Sequence, residues 1–88
     1  MKCSRFDPDA AAAYERLQRP GDARLLDALN DALDALEADP GDKRCRVRSF
    51  GGGLWGIPVR GRDDDWLLIW EQDQEGTVIR YLGTDPFA

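Results

Sequence analysis

Histidine is absent from the 88 residues, and the only cysteines are Cys3 and Cys45. Without histidine there is no serine–histidine–aspartate hydrolase and no histidine-assisted thiol nucleophile. Two cysteines with 41 residues between them do not make a usual structural zinc site, so neither a metal nor a cofactor is expected. Both cysteines read as small apolar fillers, reduced in the cytoplasm. Acid–base chemistry in this chain falls to carboxylates, tyrosine, lysine or arginine. Long apolar runs are missing too, so no membrane partner is expected. Met1-Lys2-Cys3-Ser4-Arg5 leads straight into helix-start residues with no apolar signal region, which points to a cytoplasmic protein.

What is present describes one small globular domain spanning 1–88, with 42% hydrophobic and 33% charged residues. A chain this short needs large side chains in its core, and the three tryptophans supply them. The net charge of -5 is unevenly spread: residues 1–42 carry five Lys/Arg against ten Asp/Glu, while residues 43–88 carry seven of each. The helical half is thus the acidic half. The neutral half holds a local basic cluster, Lys43, Arg44, Arg46 and Arg48.

In chain order, Lys2 to Phe6 is long enough for one short strand. Asp7-Pro8-Asp9 reads as a helix start, with Asp7 as N-cap and Pro8 at the first helical position, where no donor is needed. Pro20-Gly21 stops that helix. A second begins near Asp22 and carries Leu25, Leu26, Leu29, Ala32, Leu33 and Leu36 on a stripe of helical period, with Asp27, Asp31 and Asp34 on the opposite side. The pair reads as an antiparallel hairpin with Leu29 and Leu33 buried. Arg44-Cys45-Arg46-Val47-Arg48 alternates, and strand period places its three arginines on one face, as a binding surface or a charge-protected edge. Gly51-Gly52-Gly53 reads as a connection. Leu54–Arg60, Trp66–Glu71 and Thr77–Leu82 then form a three-strand meander, with Trp55, Ile57 and Val59 on one face. Pro58 cannot donate a ladder bond, so its strand is bulged or at an edge there. The expected fold is α+β: a helical hairpin packed on a small antiparallel sheet of about four strands, with Trp55, Trp66, Leu68, Ile69 and Trp70 in the core.

The order of a short strand, two helices and a meander resembles the RelE/ParE superfamily of toxins from type II toxin–antitoxin systems. The residues that carry the likeness are Phe6-Asp7-Pro8-Asp9-Ala10 opening the first helix, Asp39-Pro40 closing the second, and Leu54-Trp55-Gly56-Ile57-Pro58-Val59-Arg60-Gly61 beginning the sheet. The resemblance implies a RelE/ParE-like fold and a cognate antitoxin protein as partner. For RelE-like members it also implies the ribosome and messenger RNA, and for ParE-like members DNA gyrase.

RelE-like nucleases place lysines at alternate positions on the strand matching Leu54–Arg60 and an arginine early in the next. Here those positions read Gly56, Pro58 and Leu67, and Arg60 is the cation in place. A basic residue after the last strand aligns near Asp85. A relocated set is available: Arg60, Arg80 and Tyr81 as catalytic candidates, with Arg44, Arg46 and Arg48 on RNA. In it arginine would stabilise phosphate charge and Tyr81 would transfer a proton. Three readings stand side by side: a ribosome-dependent messenger RNA endonuclease, a non-catalytic or gyrase-inhibiting member of the same family, and an unrelated interaction module.

Overall fold

The computed structural model describes residues 5–18, 23–61, 65–74 and 76–84. The elements in order are β1 (Arg5–Phe6), α1 (Pro8–Gln18), α2 (Ala23–Ala38), a single 3-10 turn (Lys43–Cys45), β2 (Arg48–Gly51), β3 (Leu54–Arg60), β4 (Asp65–Asp73) and β5 (Gly76–Thr84). The class is α+β. The sheet has five strands in the order β1-β5-β4-β3-β2, and it is mixed rather than purely antiparallel, because β1 runs parallel to β5. That parallel pairing is between strands with both helices and three strands of chain between them, not between neighbours of a hairpin.

The helix boundaries follow the expected signals. Pro8 is the first helical residue, and the Asp7 carbonyl accepts the first helical bond from Ala11 N–H. α2 stops at Ala38, before Asp39-Pro40. The expected hairpin turn at Pro20-Gly21 lies outside the described residues, as does Cys3. Both helices cover the same side of the sheet, α1 over β5 and α2 over β3. They are tied to each other by Tyr14 Oη donating to Asn30 Oδ1 at 3.0 Å.

The core lies between these helices and the sheet. It contains Leu25, Leu29 and Leu36 from α2, Ala10 and Ala13 from α1, and Ile57, Val59, Leu68, Trp70, Ile79 and Leu82 from the strands, with Trp55 and Trp66 packed at its margin. Register explains the set. Trp55 faces Trp70, Ile57 faces Leu68, Val59 faces Trp66, and Trp70 in turn faces Ile79. Leu29 is fully buried as expected, whereas Leu33 is half-buried, at the edge of the stripe. Asp27, Asp31 and Asp34 are exposed. Ile69 corrects the expected core: it pairs with Gly56 and Tyr81, and so lies on the face away from the helices.

Gly51, Gly52 and Gly53 connect β2 to β3 with φ of 79°, 62° and 85°. Three consecutive left-handed residues are accessible only to glycine at low cost. Beyond Gly56, the partner of Arg48, β3 has no second neighbour among the described strands. Pro58 falls in that stretch, so its missing N–H costs the ladder little.

Candidate functional site

The stretch expected to be an arginine-lined strand is not one. Asp42 caps the 3-10 turn, its Oδ1 accepting from Arg44 N–H at 2.9 Å, and the backbone coils through Lys43–Cys45 before β2 starts at Arg48. The three arginines therefore do not share a face by strand alternation. Arg44 turns back on Asp42, with Nη2 to Oδ2 at 3.1 Å. Their hydrogen bond lowers the Asp42 carboxyl below its ordinary range and raises the Arg44 guanidinium above its own.

Arg46 lies toward the helix-covered side. Its guanidinium stands over the rings of Trp55, 4.8 Å from the centroid, and Trp70, at 5.8 Å, and its Nε donates to the Pro40 carbonyl at 3.0 Å. This is a cation–π lid on the end of the core. Cys45 is buried directly beneath. Its carbonyl accepts the Trp70 indole N–H at 2.6 Å, its Sγ approaches the Asp39 carbonyl, and burial raises its thiol pKa. The expectation of an apolar filler holds at this position. Arg48 alone of the three lies on the outer face of the sheet, opposite Gly56.

That outer face carries the remaining candidates. Arg80 is the extra residue in a β-bulge: Ile69 faces Tyr81 and Trp70 faces Ile79, leaving Arg80 without a partner in the register. The bulge breaks alternation, so that Val78 and Ile79 are both buried and Arg80 and Tyr81 both exposed. Arg80 donates through Nη1 to Asp7 and through Nη2 to Glu71, each at 2.9 Å. The Glu71 hydrogen bond, with the charges of both carboxylates, raises its pKa further. Tyr81 donates its hydroxyl to the Thr84 carbonyl at 3.0 Å, with the hydroxyl end of the ring against Gly83. Arg60 ends β3, four residues beyond Gly56 and hence ~13 Å along the strand from the row containing Tyr81, Ile69 and Gly56. Arg60, Arg80 and Tyr81 thus occupy one face without meeting at a point.

Between them lies an apolar strip that periodicity did not single out. Leu67 is 0% exposed although neither helix covers its face; it pairs with Pro58 and Gly83. Phe50 and Tyr81, 36% and 39% exposed, flank it. The Phe50 ring sits over Gly56, so close that a Cβ there would stand 2.6 Å from its Cε2; at Gly83 a Cβ would stand 2.7 Å from Tyr81 Oη. Each glycine makes room for an aromatic ring, whose other side faces solvent. Glycines within strands were the signal available in the sequence, since they mark close approach by another group. Among the described residues no group of three or more histidine, cysteine or carboxylate side chains is arranged to hold a metal ion, and no helix is long and apolar enough to cross a membrane. Comparisons with known protein families, with characterised proteins and with solved structures gave no match.

Proposed function

We propose that the chain is a RelE/ParE-fold toxin of a type II toxin–antitoxin system, working in the cytoplasm, and that it acts by binding another macromolecule rather than by cutting RNA. The element order supports the family reading: a short strand, two helices, then a meander, as the resemblance implies. The observation that carries the mode of action is the outer sheet face. Its proton-transfer candidate is engaged with backbone and its central arginine with two carboxylates, while Phe50, Pro58, Ile69 and Tyr81, around the buried Leu67, make an apolar strip between Arg48 and Arg60. Such a surface suits a protein segment with apolar anchors bordered by acidic groups, and the cognate antitoxin is the partner of that chemistry. Co-expression with the product of the neighbouring reading frame tests this: a stable complex and relief of growth arrest are expected. A chain that is harmless when expressed alone and copurifies with nothing overturns it.

A second reading rests on the two aromatic rings. Aromatic rings exposed on a sheet face, with arginines at the margins, are platforms on which unpaired bases stack. On this reading the ligand is messenger RNA on the ribosome. Arg48→Ala and Arg60→Ala then each reduce the salt dependence of oligonucleotide binding by roughly one unit of slope for every phosphate no longer neutralised. Tyr81→Phe abolishes ribosome-dependent cleavage while preserving binding. A wild-type chain that cuts no message on ribosomes eliminates the nuclease.

A further inference from the structure

Among the described residues β1 is the shortest strand, and ion pairs tie it across β5. Among the described residues Arg5 and Phe6 are in register with Val78 and Ile79, and a backbone bond joins Asp7 N–H to the Ile79 carbonyl at 2.9 Å. Its apolar anchor is Phe6, half-buried against Tyr14 with ring centroids 5.5 Å apart. Two ionic ties also cross over β5. Arg5 pairs with Asp73, and Asp7 is joined through Arg80 to Glu71. Glu71 and Asp73 are two apart on β4, so strand period presents both on the same side, and the bulge is what brings Arg80 between Asp7 and Glu71.

We infer that β1 and Asp7 form a strap that opens as a unit while the helices and the meander stay folded, with ionic strength setting how often it opens. Exposed ion pairs weaken as salt screens them, whereas the apolar contacts within β3, β4 and β5 do not depend on that attraction. Opening uncovers the part of the outer edge of β5 that β1 pairs with, at Val78 and Ile79. An extended segment from another chain then meets unoccupied backbone groups.

Amide hydrogen exchange on the intact chain, read by NMR at about 0.05 M and about 0.5 M sodium chloride, tests the strap. The Asp7 amide is expected to exchange about threefold to thirtyfold faster at high salt, with the amides of β3 and β4 unchanged. Arg80→Gln at low salt reproduces that acceleration, and Arg44→Gln, which removes an ion pair outside the strap, leaves Asp7 as in the wild type. An Asp7 amide that exchanges at one rate at both salts, or always in step with the amides of β3 and β4, overturns the inference. The wild-type salt comparison decides alone should Arg80→Gln fail to fold.

Discussion

The two faces of the sheet are made by the same strands and closed in different ways. On the helix side, Trp55, Trp66, Trp70, Leu68 and Ile57 meet leucines from α2, and volume does the sealing. On the other side, Leu67 is as completely buried as Trp70 without any helix above it. There the sheet covers itself: Phe50 and Tyr81 reach Gly56 and Gly83, where the absence of a Cβ admits the end of a ring. Burial is therefore a poor guide to which face is finished. The helix side has apolar groups on both sides of its contacts, and the outer side has them on one.

The largest test of this contrast is Trp70→Ala, expected to cost about 3–5 kcal/mol in denaturant unfolding, because a fully buried ring and its bond to the Cys45 carbonyl disappear together. Leu29→Ala should cost about 2–5 kcal/mol; a change within measurement error would break the assignment of the helix side as core. Leu67→Ala is the informative partner. It should fall at the low end, about 2 kcal/mol, since the flanking rings can settle into the space. A cost equal to that of Leu29→Ala would make the outer face a second rigid core. Gly83→Ala pushes against the Tyr81 ring and should cost about 1–2 kcal/mol, with the tyrosine resonances shifted. Smaller still is Arg46→Ala, about 0.5–1 kcal/mol from its position over Trp55 and Trp70.

Alkaline pH separates the regions further. The Cys45 thiol has its pKa raised in the folded state by burial, so its contribution to stability is complete below the unfolded thiol pKa and is lost as pH rises toward the folded one. A Cys45→Ala chain should therefore lose less stability than the wild type between about pH 8 and about pH 10. Equal losses would show that the thiol is not held in the core.

Much of the helix side is legible in the sequence because its signals are local. Asp7-Pro8 and Asp39-Pro40 bound the helices, and the leucine stripe of 25–36 names the buried face. The strand positions follow from apolar runs between polar turns. What periodicity misjudges has identifiable causes. Trp66-Leu67-Leu68-Ile69-Trp70 is apolar throughout, and a continuous run does not say which alternate set faces the helices; Ile69 falls on the unexpected face for that reason. Arg44–Arg48 alternates like a strand, yet Asp42 offers its carboxylate to the Arg44 N–H two residues on, and the local turn prevails over the pattern. Asp42 following Pro40-Gly41 is the signal that marks that turn. The parallel pairing of β1 depends on partners more than 65 residues away in the chain, the bulge at Arg80 on a register shift against β4, and no local pattern encodes either.

All three indoles belong to the helix-covered face, and two of them lie under one guanidinium. Intrinsic emission excited at the red edge of the absorption band consequently reports on that half of the molecule alone. A ligand seated on Phe50 and Tyr81 meets no tryptophan, so its arrival leaves the emission maximum and quantum yield where they were, while melting of the core changes both. Fluorescence titration is thus insensitive to direct contact on the outer face, and a change in emission on mixing means contact with the helix side or a rearrangement of the core.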